Sequence, residues 1–179
     1  MTIHFKPTED DSLTYQLYFA SRSERIRKKR RNAKIRFPII MAIVIAYTIA
    51  MGHYTLAGIY AVFAVAYVIW YTWYEPRHYR KHYLSFVREN ARPDELPVSM
   101  TFGPDEATQD TATSHATLHY STFEEIAELP GQILLRMGTQ AIIIPKDQVP
   151  DAAALTSLLK DIATRHSIPY VDDRTWVWK

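Results

Sequence analysis

The chain has 179 residues, a formal net charge of +2 and no cysteine. That length holds one ordinary domain, or a small domain with an appendage. Without cysteine there is no disulfide scaffold, no thiolate nucleophile and no cysteine-based zinc or iron–sulfur site. Five glycines and the lack of a sustained repeat exclude collagen, coiled-coil and low-complexity classes.

The chain opens with a short alternating run, Ile3-His4-Phe5, followed by Pro7. Thr8-Glu9-Asp10-Asp11 then supply the capping and acidic residues of a helix start. Leu13, Leu17 and Ala20, with Tyr15, Tyr18 and Phe19 alongside, give this helix a partly apolar face. It is expected to run on, continuous or nearly so, through residues 22–36. Those residues carry nine Lys/Arg against one Glu, namely Arg22, Arg25, Arg27, Lys28, Lys29, Arg30, Arg31, Lys34 and Arg36 against Glu24. Taken alone, such a run reads as a nucleic-acid patch or a nuclear localisation signal. Here it stops directly where an apolar segment starts. Membrane topology and anionic headgroups, which attract each juxtamembrane cation by about 1 kcal/mol, explain it without a nucleic-acid partner.

Residues 37–74 contain no Asp, Glu, Lys or Arg. One straight helix of that length would extend about 57 Å, nearly twice the roughly 30 Å hydrocarbon core of a bilayer. Gly52-His53-Tyr54-Thr55 supplies a break, so the segment is expected to form a hairpin of two transmembrane helices, 37–51 and 56–74. Ala42, Ala46 and Ala50 on the first and Ala57, Ala61 and Ala64 on the second form small-residue stripes. Such stripes let helices approach closely in lipid. Trp70, Tyr71, Trp73 and Tyr74 suit an aromatic belt at the headgroup boundary. A buried hairpin in a soluble core is the competing reading, and the rest of the chain is too small to cover one.

The basic run before the hairpin, and Arg77, Arg80, Lys81, Arg88 and Arg92 after it, keep both flanks on the cytoplasmic side. The first thirty residues lack the apolar core of a cleavable signal, so the first apolar helix is expected to act as the insertion signal. Together these features predict a multi-pass membrane protein with both termini on the cytoplasmic side. Residues 1–36 form a cytoplasmic lead-in, 75–92 a basic juxtamembrane helix and 93–179 a cytoplasmic strand domain.

In the juxtamembrane helix His78 and His82 stand at i, i+4 with Glu75 on the same side, a spacing that can suit zinc. Arg77, Arg80 and Lys81 oppose a bound cation, and neither a metal nor a cofactor is expected. His115 and His119 share the spacing, but along a strand they lie roughly 13 Å apart and cannot chelate one ion.

Residues 93–179 hold six Lys/Arg and thirteen Asp/Glu, a net charge of −7. Val98–Phe102 alternates and ends at the turn Gly103-Pro104-Asp105; residues 116–123 and 124–129 alternate again, closing at Pro130-Gly131. Residues 133–135 and 141–144 read as two strands joined around Gly138. Pro150-Asp151 opens a helix with Leu155, Leu158, Leu159, Ile162 and Ala163 on one face. The result is an α+β membrane protein: a two-helix hairpin plus a small, bent antiparallel sheet capped by a C-terminal helix. The tail, Pro169 to Trp178, is aromatic enough to dock on the sheet or at the interface.

This layout resembles the YcxB-like bacterial membrane proteins. The carrying residues are Thr8-Glu9-Asp10-Asp11 and Ala141-Ile142-Ile143-Ile144-Pro145-Lys146 before the last helix. The resemblance implies a pleckstrin-homology-like C-terminal domain and no established activity. Where such proteins often show Trp in the strand before the EEI-type segment, this chain has Tyr120 and Phe123.

No nucleophile elbow, P-loop or dinucleotide fingerprint occurs, so an enzyme is not expected. Glu124-Glu125 and Asp172-Asp173 read as solvated pairs. The hairpin carries no ionisable transport residue of the kind a pump needs. What remains is a membrane-anchored protein-interaction module whose partners are the bilayer and another protein or a second copy. The alternatives are a protective (immunity) membrane protein or a lipid-sensing pleckstrin-like domain. The latter is opposed by the −7 charge, which anionic headgroups repel across a Debye length of about 8 Å. The N-terminal run, at net +8, is expected to attract that domain on the same membrane face.

Overall fold

The structure, a computed structural model, describes residues 1–90, 97–138 and 140–178. Arg92 and the expected boundary at 92–93 lie outside the described residues. The element order is β1 (Thr2–Phe5), α1 (Glu9–Arg22), α2 (Glu24–Ala50), α3 (Tyr54–Asn90), β2 (Val98–Phe102), β3 (Glu106–Asp110), β4 (His115–His119), β5 (Glu125–Glu128), β6 (Gln132–Met137), β7 (Gln140–Pro145), α4 (Ala152–His166) and β8 (Tyr170–Asp172). The chain divides into two compact units, Met1–Tyr15 with Phe86–Val177 and Gln16–Ser85 with Trp178–Lys179.

The first unit contains all the strands. They form two four-stranded sheets, ordered β1-β2-β3-β4 and β7-β6-β5-β8, where one bent sheet was expected. β1 pairs antiparallel with β2, placing Ile3 opposite Met100 and Phe5 opposite Val98. The alternating run at the N-terminus is therefore the edge strand of a sheet whose other members follow the long helices. Ile3, Phe5, Met100, Phe102 and Ala107 share the buried face. β3 escapes sequence reading because Ala107 is its one apolar residue, so no alternation shows.

In the second sheet β5, β6 and β7 are antiparallel, while β8 lies parallel to β5 with Tyr170 opposite Ile126. Part of the aromatic tail is thus a fourth strand. Ile126, Ile133, Leu135 and Ile144 of this sheet meet Leu155, Leu159 and Ile162 of α4 in one core. Each buried aliphatic side chain there stabilises the fold by about 1.5–3 kcal/mol. The stripe foreseen on α4 is the face that packs, with Leu158 partly buried at its margin. Asp151 caps α4 by accepting a hydrogen bond from the Ala154 N–H at 2.8 Å. Its other end closes on Ser167, a left-handed residue at φ 56°.

Residues 116–123, read as one strand, split after His119. Tyr120–Thr122 form a 3-10 turn that drives the Tyr120 ring into the core, its hydroxyl donating to the Gly103 carbonyl at 2.9 Å. Gly138 joins β6 to β7 at φ +59°, a conformation that costs any L side chain strain.

α1 begins with a reciprocal cap. The Thr8 N–H donates to Asp11 Oδ2 at 2.8 Å and the Asp11 N–H to Thr8 Oγ1 at 3.3 Å. One extended residue, Ser23, separates α1 from α2. The expected continuity is therefore interrupted once, at Ser23, just after the first arginine of the basic run.

In the second unit α2 and α3 are two helices long and apolar enough to cross a membrane. They are joined through Met51–His53, with Gly52 at φ +77°. α3 continues unbroken past Tyr74, so the expected 56–74 and 75–92 segments share one helix as far as Asn90. The covered side of the helices takes in Ala57 and Ala64 of the stripe expected on the second helix, together with residues outside both stripes. Phe37 meets Tyr67 with ring centroids 3.9 Å apart, and Thr48 and Ala57 are buried. Ala64 is half-buried, but Ala42, Ala46, Ala50 and Ala61 are exposed. Both helices are apolar around most of their circumference, so small residues alone do not select the facing side.

Candidate functional site: a basic cavity beside a buried ion pair

The first three turns of α2 carry the basic run, and helical spacing sorts it into faces. Arg27, Arg31 and Lys34 fall at i, i+4 and i+7 on one side. Arg30 is half-buried against α3, where Glu75 is 8% exposed. Arg30 Nε donates to Glu75 Oε1 at 2.5 Å. The Arg30 guanidinium also lies 4.7 Å from the Trp178 ring centroid and 5.3 Å from that of Tyr79. Trp178 is held in turn by its indole N–H, which donates to the Pro76 carbonyl at 3.1 Å. A cation sandwiched between a carboxylate and two aromatic faces is immobilised as well as neutralised.

Beside this pair lies a cavity of about 570 Å³, lined by Glu24, Arg27, Lys28, Arg30, Arg31, Lys34 and Glu75. Five cations face two carboxylates, and Glu75 is already engaged with Arg30. The remaining field is strongly positive and suits an anion. Of the residues expected to meet headgroups, Arg25, Lys29 and Arg36 are exposed and take no part in this lining.

The structure does not assemble the candidate zinc set. Glu75 turns to Arg30, while His78 stacks on Tyr74 at 5.3 Å and shares a 3.1 Å hydrogen bond with its hydroxyl. His82 packs edge-on against Tyr83. Among the described residues no three His, Asp or Glu side chains converge as metal ligands would. His115 and His119 instead pair across β3–β4 with Asp110 and Glu106, the latter at 3.3 Å.

A second polar cluster lies in the strand unit. Lys146 Nζ donates to Glu128 Oε1 at 2.8 Å and to the Leu129 carbonyl at 2.7 Å, and the Tyr170 hydroxyl donates to Glu128 Oε2 at 2.7 Å. Burial by itself pushes the Glu128 carboxyl up. The two hydrogen bonds and the charges of Lys146 and Arg174 together outweigh burial and hold it below its usual range. Burial, then the bond to Glu128, pushes the Tyr170 phenol well up. This cluster ties β5, β8 and the end of β7 together, which makes it a structural clasp rather than a site open to a ligand.

Sequence reasoning missed the Arg30–Glu75 pair, although a signal for it exists. Glu75 is the first acidic residue after Glu24. Arg30 stands 22 residues before Gly52 and Glu75 stands 23 after it, so folding the hairpin at that turn brings the two opposite. No family model, curated protein or solved structure matches the chain.

Proposed function

We propose that this chain is an integral membrane protein of the bacterial inner membrane, anchored by α2 and α3 with both termini in the cytoplasm. Its strand unit serves as a protein-interaction module. The observation that supports the anchor is where the apolar surface lies. Only 6% of the apolar stretch of each helix is buried, and Ile39, Ile40, Ile43, Val62, Phe63, Val65 and Ile69 are exposed. A soluble core would bury such residues at about 25 cal/mol per Å² of apolar surface removed from water. Lipid supplies the same cover for the outer faces of a hairpin.

The interaction role has support in the first sheet. β4 stands at its edge with four of five side chains exposed, and an edge ladder of this kind can accept an added strand. We extend the proposal to membership of the YcxB-like proteins, on the motifs quoted above. A lipid-sensing role is the second reading. The basic cavity favours it, and that cavity belongs to the helix unit, not to the acidic strand domain.

Because the chain has no cysteine, its own sequence is the background for single-cysteine labelling. His53→Cys should react with an impermeant maleimide from outside spheroplasts, and Ala112→Cys only after permeabilisation. Both positions labelling from outside, or release of the chain by alkaline carbonate, would sink the topology.

A further inference from the structure

The basic cavity has a depth as well as a charge. Phe37 opens the uncharged segment, and Lys34, Arg31 and Arg27 precede it by three, six and ten residues. At about 1.5 Å per residue they stand about 4.5, 9 and 15 Å outside the apolar boundary. The headgroup layer of one leaflet is roughly 5–8 Å thick, so Lys34 lies within it, Arg31 at its outer edge and Arg27 about 7–10 Å beyond. Trp70, Trp73 and Tyr74 on α3 mark the same boundary, with Trp70 and Tyr74 stacked at 4.7 Å. Arg30 is committed to Glu75, which leaves Arg27, Lys28, Arg31 and Lys34 as the cations lining the cavity, and of these Arg27, Arg31 and Lys34 share one face of α2. The planar fork of arginine matches phosphate oxygens bidentately, whereas an ordinary topology signal needs only charge.

We propose that this cavity binds a phosphate group through Arg27, Arg31 and Lys34, and that its depth makes an anionic phospholipid headgroup the carrier. Glu24 at the rim limits the affinity by like-charge repulsion. The immobilised Arg30–Glu75 pair forms the wall against which the headgroup seats. The inference rests on α2 and α3 lying in a bilayer.

The test uses the full chain in mild detergent, with native mass spectrometry following retained phosphatidylglycerol, phosphatidylcholine or inorganic phosphate. Two triple variants remove equal charge: Arg27→Gln, Arg31→Gln, Lys34→Gln inside the cavity, and Arg25→Gln, Lys29→Gln, Arg36→Gln outside it. The wild type should retain phosphatidylglycerol in preference to phosphatidylcholine. The cavity variant should lose that preference by at least about tenfold, and the outer variant should change by less than about threefold. Should the cavity variant misfold, Glu24→Gln supplies a gain instead, and phosphatidylglycerol retention should rise. Equal losses in both triple variants, or no effect of Glu24→Gln, would mean diffuse surface charge and would overturn the site. Saturable inorganic phosphate binding that displaces the lipid would keep the phosphate site and overturn the lipid carrier. A chain that resists carbonate extraction yet shows no phosphatidylglycerol preference overturns the site alone, whereas extraction by carbonate overturns the anchor itself.

Discussion

Removing the lysine of the Glu128 clasp leaves a carboxylate buried without its main counter-charge. In Lys146→Met the stem is replaced by an apolar chain of similar length, while the Glu128 side chain remains 5% exposed. Deleting one partner of a buried pair costs about 3–5 kcal/mol. Lys146 is itself 17% exposed, and the Tyr170 hydroxyl still donates to the carboxylate. The expected loss therefore falls at the low end, about 3 kcal/mol, or roughly a hundredfold in the local opening constant. The assay is hydrogen exchange of peptides covering Glu125–Met137 in the full chain, under conditions where exchange tracks opening. The sign of the pH effect follows from the clasp. In the wild type the Glu128 carboxyl is held below its ordinary 4.5, so its contribution is present above that value and lost as pH falls through the folded value. In the variant, burial acts unopposed by Lys146, so acidification neutralises the stranded charge and the gap to wild type narrows. A loss of less than twofold in opening at neutral pH, or a gap that widens on acidification, would refute the reasoning. Glu128→Gln added to Lys146→Met should restore part of the protection.

Four further variants test the remaining features. Tyr170→Phe removes the 2.7 Å bond to Glu128 and should cost about 1–2 kcal/mol by the same exchange assay. Because the folded phenol titrates above its ordinary 10.0, wild-type stability should fall as pH rises beyond that value, and Tyr170→Phe should flatten the decline. Ser167→Gly relieves a left-handed serine at the end of α4 and should stabilise the strand unit by up to about 1 kcal/mol, read from the exchange of α4. Gly138→Val places a branched side chain at φ +59° and should destabilise β6 and β7 by about 1–2 kcal/mol or more, measured on the same peptides. Trp178→Ala loses both the Pro76 bond and the Arg30 contact; carboxypeptidase should then trim the C-terminus at least several-fold faster.

The comparison of sequence with structure separates local from long-range information. The uncharged stretch of residues 37–74 announces two long helices, and Gly52 locates their junction to within a few residues, because length and hydropathy are properties of the segment alone. The apolar stripe and Asp151 cap of α4, the alternation of β2 and the hairpin around Gly138 were equally legible. Each is decided by neighbours within a few positions. For the candidate site the sequence supplied the cations but not their division, since a count of charges does not say which face of α2 lines a cavity.

Three features came only from tertiary structure. β1 finds its partner nearly a hundred residues away, and β8 adds to β5 in parallel; such pairings depend on complementary buried faces, and period-two alternation does not identify the partner. The seam between α2 and α3 passes through Phe37, Thr48, Ala57 and Tyr67, so that of the two alanine stripes only Ala57 and, in part, Ala64 are covered. A helix apolar on nearly every side carries no moment to point it. In the sequence Glu75 stands beside His78 and His82 at a spacing that can suit zinc, although the neighbouring cations argue against a metal there. Folding the hairpin brings Arg30 to within 2.5 Å of Glu75, and at that distance, away from most water, a guanidinium attracts a carboxylate more strongly than any group on its own helix can.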